Sequence, residues 1–563
     1  MRAAVDYCQW RGPRFAFDFG IVRDCVLITG VCVFTFASYA GKLGFYSDDW
    51  GMFADLSTVR HPSILACFAA LSTHERQMQM RPVQIFYFAA LYRLFGNRAI
   101  AYHLTNSLIV CLVSVLLYLV CRKVLSRLDS LAVALIYSLL PHYSTARFWF
   151  ASFQAPMSCA LCLLAVLAML NAAGRRGTPS VLWLLLASVS AALSVLAYEV
   201  TFGLMLLIPV LVKFSSSNFN SSEPSVRYRS LRLYLPFAGA LSAAMSYKIA
   251  VETRYYSRHS YNVLRDFGPI ARAFAAHLIE FDFGRFALEV PYTAWQCLHL
   301  APSGQFVFTA AALGALVFAY IRKAGTPVDR PPVKSAAACL IAFGLLTSIM
   351  GLAWFFADKK DSFIATGADN RITIAAAIGA SAVVAGCAGL FSNLFGQANR
   401  AAIFAFFIAV LCGSNYLIVS TIAQYWIAAG ARQSQVLAAV HRALVRAPVG
   451  STVLVAGFCP YIGPGIVFES TWDMTGVLQL SYGDDTLRGD VVNSHAKLAR
   501  NGVITQSYDE NSYGFNDLLL LVDVGTGEVD RLNTSAAAKQ TLLPKIKRSP
   551  CPWAKPGRGL PVL

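Results

Sequence analysis

The chain has 563 residues, of which 56% are hydrophobic and only 14% are charged, and it carries a formal net charge of +17. So few charges cannot cover a water-soluble protein of this length, whereas repeated apolar runs of about 20 residues suit helices that cross about 30 Å of hydrocarbon. A polytopic α-helical membrane protein is expected. The sequence holds no phosphate loop, dinucleotide fingerprint or Gly-x-Ser-x-Gly elbow, and its positive charge is spread over loops, so no ATP, NAD or nucleic acid is expected as a partner.

Arg11, Arg14 and Arg23 precede or open the first apolar run, Val22 to Leu43, which lacks a small-residue cleavage site. It reads as a retained helix with its N-terminus in the cytoplasm. Further helices are expected at about 102–121, 131–148, 152–170, 181–197, 201–213, 233–250, 303–321, 335–355, 372–391 and 401–427. Basic residues cluster at Arg122–Arg127, Arg175–Arg176, Lys213–Arg232 and Arg322–Lys334, and the bias of Lys and Arg toward the cytoplasm places these turns inside. About 11 spans result, so the chain should start inside and finish outside.

Just past the first run stands Tyr46-Ser47-Asp48-Asp49-Trp50. Ionised carboxylates are costly in lipid, so such a pair either faces water as an ordinary wet loop or belongs to a polar site. Two adjacent acids can hold a divalent cation, or divide proton acceptance from positioning in a transfer reaction. Next, Arg81-Pro82 opens an apolar, aromatic segment from Val83 to Phe95, too short to span and suited to the interface. Tyr198-Glu199 breaks two strongly apolar runs, so Glu199 should face a cavity, in a functional role or in a structural ion pair.

His103 and His142 mark ends of membrane segments on the side of Asp48, as interface anchors or as site residues. Arg81, Arg254, Arg258, Arg265, Lys359, Lys360 and Arg371 fall mostly on expected outer loops, against the usual inner bias. An anionic lipid phosphate would account for them; ordinary headgroup contact is the plainer reading. Lys360 and Arg371 bracket Asp361 to Asn370, a polar stretch able to reach over a site.

From residue 448 the chain changes character. Residues 447–563 hold 11 acids and 10 Lys or Arg, so the excess positive charge lies entirely in the membrane part. Short β-prone runs at Ser451–Phe458, Gly465–Glu469, Gly476–Leu480, Gly502–Gln506 and Leu518–Val524 predict a small soluble α/β or mostly β domain. Before it, 431–447 reads as a surface helix and linker, dividing a membrane domain (1–430) from a soluble one (448–563). Most of the 14 cysteines sit in apolar runs as small hydrophobes; Cys459 and Cys551 of the tail can pair if the tail is exported.

Taken together, the acidic pair Asp48-Asp49, Arg81-Pro82-Val83, Phe95-Gly96-Asn97, the helix opening Ala101-Tyr102-His103-Leu104-Thr105-Asn106, Pro141-His142 and Tyr198-Glu199 resemble the GT-C superfamily of polyprenyl-phosphate-sugar-dependent membrane glycosyltransferases. The protein O-mannosyltransferase-like and bacterial integral-membrane branches are nearest. The marks cover about residues 40–210, with looser agreement to 427. Relatives often carry a glutamate after the histidine of the third helix; here Pro141 to Ala146 has none, which leaves the role of His142 open.

The resemblance implies an inverting glycosyltransferase of a bacterial inner membrane, with its soluble domain periplasmic. It would move a sugar from a polyprenyl-phosphate donor to a glycan, glycolipid or protein acceptor. Asp48 would be the base, with Asp49 and Glu199 as catalytic partners. Arg81, His103, His142, Arg254, Arg258, Lys359, Lys360 and Arg371 would bind substrate. Either no cofactor is needed, or Asp48 and Asp49 hold Mg2+ or Mn2+. A lipid-linked substrate transporter or flippase is the rival class, but no internal repeat is visible and the polar load lies on one face.

Overall fold

In the computed structural model, the described residues are 19–547, without residue 75, 175–176, 216–223, 256–267, 269–270, 273, 277, 301–303, 325–333, 356–365 and 507–509. Six helices among them are long and apolar enough to cross a membrane, or seven if the bent pair Ala368–Ile374 and Ala376–Ser392 counts as one span. The six are Phe19–Phe36, Ala99–Cys121, Phe150–Ala173, Thr178–Ala197, Gly304–Ala324 and Ala398–Ala443. The expected count of about 11 is therefore corrected, and the odd-number argument for topology falls with it.

The physical reason lies in the short apolar runs. The helix expected at 131–148 is a 13-residue helix, Arg127–Leu139, whose side chains from Leu128 to Leu139 are all buried in protein. It stops at Leu140-Pro141, because proline disfavours a helical residue before it and supplies no amide, and the chain continues in short turns to Phe153. The segment expected at 201–213 splits into Glu199–Thr201, Phe202–Met205 and Ile208–Ser215. Residues 233–250 lie in the 32-residue helix Pro224–Tyr255, which is too polar overall to pass as a span. Run length alone does not separate a lipid-facing helix from one that the protein encloses.

The helices Lys334–Leu352 and Ala376–Ser392 pack backbone to backbone. A Cβ on Gly344 would come within 2.8 Å of the Gly379 carbonyl oxygen, and one on Gly379 would collide with the Gly344 oxygen. Small residues give membrane helices this close approach where the hydrophobic effect supplies no drive.

At one end of the bundle Asp24 is wholly buried and serves three helices. Arg127 donates to both of its oxygens at 2.7 and 2.8 Å, Tyr118 donates to Oδ2, and Tyr320 donates to Oδ1 at 2.7 Å. At the other end of the first helix, Phe19–Ala40, lie the acidic loop and the C-terminal domain that contacts it.

The last membrane helix does not end at the interface. Gln397–Ala443 is one helix of 47 residues, and most of the 431–447 segment is its final part. The domain beyond has a four-stranded sheet in the order Arg488–Val491, Thr452–Ala456, Leu519–Asp523, Val529–Arg531, with the first three parallel and the last antiparallel. Lys497–Ala499, Gly502–Gln506 and Glu510–Gly514 form an antiparallel sheet, and Tyr461–Ile462 pairs with Gly465–Ile466.

Alternation decides what each face of the larger sheet covers. Val453, Val455, Leu520 and Val522 join the main core, while Leu454, Ala456, Leu519 and Leu521 form a second core with Ala538 and Leu542 of the helix Ser535–Lys547. The strand expected at Gly476–Leu480 is instead part of the helix Thr471–Tyr482. Ser470 and Asp473 make its capping box, a local signal strong enough to override β-propensity. Cys459 is disulfide-bonded; Cys551 lies outside the described residues.

Candidate active site

The acidic pair opens the ten-residue helix Asp48–Ser57 and its two members do different things. Asp49 is fully buried: Oδ2 accepts from the Tyr46 amide and Oδ1 from the Ala151 amide, both at 2.9 Å. Burial pushes its carboxyl well above the usual range, with Asp48 adding repulsion and the two amides opposing. Asp48 is half-buried at the head of the helix. Both oxygens of Asp49 are thus taken up by backbone amides, whereas Asp48 stands nearer the surface. No group of three or more His, Cys, Asp or Glu able to hold a metal occurs among the described residues.

Ser47, just before the pair, has φ 46° and ψ −119°, a left-handed backbone that serine rarely adopts. Its hydroxyl donates to Glu469 Oε1 of the C-terminal domain at 2.6 Å, and Tyr461 donates to Oε2 at 2.7 Å. Trp472 points its indole N–H at the same hydroxyl, 3.4 Å away. Burial raises the Glu469 carboxyl to about 7; Ser47 and Tyr461 oppose the shift, and Asp48 and Asp369 add to it. Asp473 beneath it accepts from the Glu469 and Ser470 amides at 2.7 and 3.0 Å, and is itself raised by burial.

The loop is also tied to the membrane helices. Tyr46 donates its phenol to the Trp426 carbonyl at 2.7 Å, and His103 Nε2 lies 2.8 Å from the Gly44 carbonyl. Trp149 donates its indole N–H to the Tyr46 carbonyl at 2.9 Å, while Arg371 lies over the Trp149 ring at 4.8 Å. The same side chain thus holds the acidic loop by its edge and a guanidinium on its face.

A second group forms around Glu199, in the break after Thr178–Ala197. Arg81 donates to Oε1 at 2.8 Å and Lys248 to Oε2 at 2.6 Å. Burial opposes ionisation of Glu199, but Arg81 and Lys248 outweigh it and pull the carboxyl down to about 2. Arg81 also lies over the Tyr198 ring at 4.5 Å and feels repulsion from Arg371. Two cations, Arg81 and Lys248, thus meet the one carboxylate they both touch, with Glu252 acting on Lys248 from further off.

The remaining expected residues divide. His142 is buried and its carbonyl accepts from Thr373, so it fastens the 141–148 segment to Ala368–Ile374; Asn370 does the same, accepting from Ser144 and from the Thr145 amide at 3.2 Å. Arg254 is exposed on the helix Pro224–Tyr255. Arg258, Arg265, Lys359 and Lys360 lie outside the described residues. The structure brings Asp48, Asp49, His103 and Arg371 to one loop, and Arg81 and Glu199 to its cationic neighbour.

Lys248 and Glu469 were not singled out from the sequence. Lys248 stands in a run that reads as an ordinary span, where a lone lysine was itself the available signal. Glu469 carries no local motif.

No family model matches the chain, and no curated protein does. Among the solved structures that align with it are ArnT from Cupriavidus metallidurans bound to undecaprenyl phosphate, 12% identical over 76% of this chain and 82% of that one with a TM-score of 0.36, and the apo state of the same protein, 13% identical over 77% and 82% with a TM-score of 0.35. At these values the likeness is too distant to carry anything to this chain.

Proposed function

We propose that this multi-pass membrane protein is an inverting glycosyltransferase that moves a sugar from a polyprenyl-phosphate donor to an acceptor on the side of its soluble domain. The observation that carries the reading is the Trp149 bridge. Its indole binds the loop that presents Asp48, and its ring carries Arg371, so an acid and a cation share one rigid support.

Such a donor already has a good leaving group, a lipid phosphate, and needs neither nucleotide nor general acid. Asp48 accepts the proton of the acceptor hydroxyl, whose oxygen attacks the anomeric carbon from the face opposite the phosphate. The bond from that carbon to the phosphate oxygen breaks, its electron pair goes to the phosphate, and the configuration inverts. Arg371, with Arg81 and Lys248 around Glu199, favours the phosphate where charge accumulates. Asp49 fixes the loop through two amides and leaves proton transfer to Asp48. The acceptor is an envelope glycan or glycolipid, for which Tyr461 and Trp472 beside Glu469 supply aromatic faces, and the soluble domain faces the periplasm.

The test is transfer of radiolabel from a polyprenyl-phosphate sugar to an envelope acceptor fraction by purified protein in detergent. A labelled product with wild type and none with Asp48→Asn is the expected result. Failure with every common sugar donor, together with movement of lipid-linked sugar across liposomes, would overturn the reading in favour of a carrier.

A further inference from the structure

The C-terminal domain is fastened to the acidic loop at one point of unusual geometry. Among the described residues Ser47 is the sole non-glycine with positive φ. Backbone of that kind costs about 1–3 kcal/mol and persists only where surrounding contacts hold it. The Ser47 hydroxyl meets Glu469, and the bond joins residues 422 apart in sequence. Around this point the helix Thr471–Tyr482 lies against Asp48–Ser57 so closely that a Cβ on Gly476 would meet the Trp50 carbonyl carbon and oxygen at 2.5 Å. Glu469 is itself braced: Tyr461 fills its second oxygen and Asp473 accepts its amide.

We propose that Glu469 is a positioning residue that holds Ser47 in its strained conformation and thereby aims Asp48, so that the C-terminal domain completes the catalytic centre instead of only covering it. The inference rests on the transferase reading. The mechanical part stands without it: if Glu469 holds Ser47, loss of either partner loosens residues 44–57. The groups facing Glu469 are Ser47, Tyr461, Asp473, Asp48 and Asp369. Asp48 and Asp369 lie outside the domain that carries Glu469, so undocking would separate these like charges; the Ser47 hydroxyl is the donor that crosses to the domain and opposes that repulsion. Removing a donor therefore acts on the loop and not only on Glu469.

The experiment uses the full chain in detergent, as wild type, Glu469→Ala, Glu469→Gln, Ser47→Ala and the Ser47→Ala/Glu469→Ala double variant. Amide hydrogen exchange of residues 44–57 should quicken about tenfold or more in Glu469→Ala and Ser47→Ala, while the strands 452–456 and 519–523 keep their protection. In the transfer assay, kcat should fall about tenfold or more with the donor KM within about twofold, the pattern of an interaction expressed in the transition state. Glu469→Gln, which keeps an acceptor for Ser47, should recover most of both losses, and the double variant should be no worse than either single one. Unchanged exchange at 44–57, additive losses in the double variant, or unchanged kcat despite faster exchange would each overturn the proposal. If Glu469→Ala disrupts the strands, Ser47→Ala removes the same bond from the membrane side and decides alone. If wild type transfers no sugar, the transferase reading fails, and the exchange data still decide whether Glu469 holds the loop.

Discussion

Lys248 Nζ lies 2.6 Å from Glu199 Oε2, on the oxygen that Arg81 does not use. The two cations divide one carboxylate between them in a largely buried setting, so the charge of Glu199 is shared and not spent on either. Removing one partner from such a group costs about 3–5 kcal/mol, because charge is left buried without compensation. Glu199→Gln is therefore expected to lower the thermal midpoint strongly, and Lys248→Met in the same background to return part of the loss. Thermal unfolding of the single and double variants in detergent checks this; additive losses would count against the shared ion pair.

Asp48→Asn keeps the size of the side chain and removes both charge and proton acceptance. Loss of a base costs about 10²–10⁴-fold. The variant should fold, migrate as a single species and transfer sugar at a rate reduced by that factor. Transfer at the wild-type rate would return Asp48 to the status of a wet loop residue.

Gly476→Ala should separate the C-terminal domain from the first loop. The new methyl would fall on the Trp50 backbone at 2.5 Å and on the Gly51 nitrogen at 2.6 Å, which no rotamer relieves. Overpacking of this kind costs about 1–3 kcal/mol. The expected outcome is new protease cleavage near residues 444–450 with the sheet itself intact, and loss of transfer. Wild-type protease resistance with wild-type activity would show that the close approach is not needed.

Stability should carry a pH signature from Glu469. Its folded value of about 7 exceeds that of an exposed glutamate, because burial disfavours the charged form and Asp48 and Asp369 repel it. The folded protein then binds a proton that the unfolded chain releases. The extra stability is present in full below the ordinary carboxylate range and is lost as pH rises through about 7. Tyr461 and Asp473 also face this carboxyl, and the buried Asp49 and Asp473 add slopes of the same sign. Thermal midpoints measured from about pH 5 to pH 8 should fall less steeply in Glu469→Gln than in wild type. Superimposable slopes would mean that Glu469 does not titrate in this window.

The acidic loop and the helix Pro82–Phe95 were legible because their signals are local: a charged pair next to a long apolar run, a proline at a first turn, a glycine at the end. Glu199 is legible as a break that suits a functional residue or an ion pair, and the structure shows the ion pair with Arg81 and Lys248. Lys248 was not legible as its partner, since nothing in the spacing of residues 199 and 248 places them together. The Ser47 to Glu469 bond escaped for the same reason, at far greater separation. Division of labour within Asp48-Asp49 could not be read either. It depends on the Ala151 amide, which the turn after Pro141 carries back to the loop. The overcounted spans have another cause: Arg127–Leu139 is short and surrounded by protein, and composition does not record what a residue touches.

The helix Gln397–Ala443 runs for about 70 Å at 1.5 Å per residue, more than twice the hydrocarbon thickness. Both halves of the candidate site hang from one stretch of it. Tyr46 is bonded to Trp426, a Cβ on Gly465 would touch the Tyr425 carbonyl oxygen at 2.7 Å, and Gln433 donates to the Val467 carbonyl at 2.7 Å. Bilayers of unequal thickness tilt long helices, and a tilt would carry the far end sideways by many ångströms. Because the loop and the domain ride on the same rod, they would swing together, and the spacing between Ser47 and Glu469 is set by the protein alone, whatever the lipid around it.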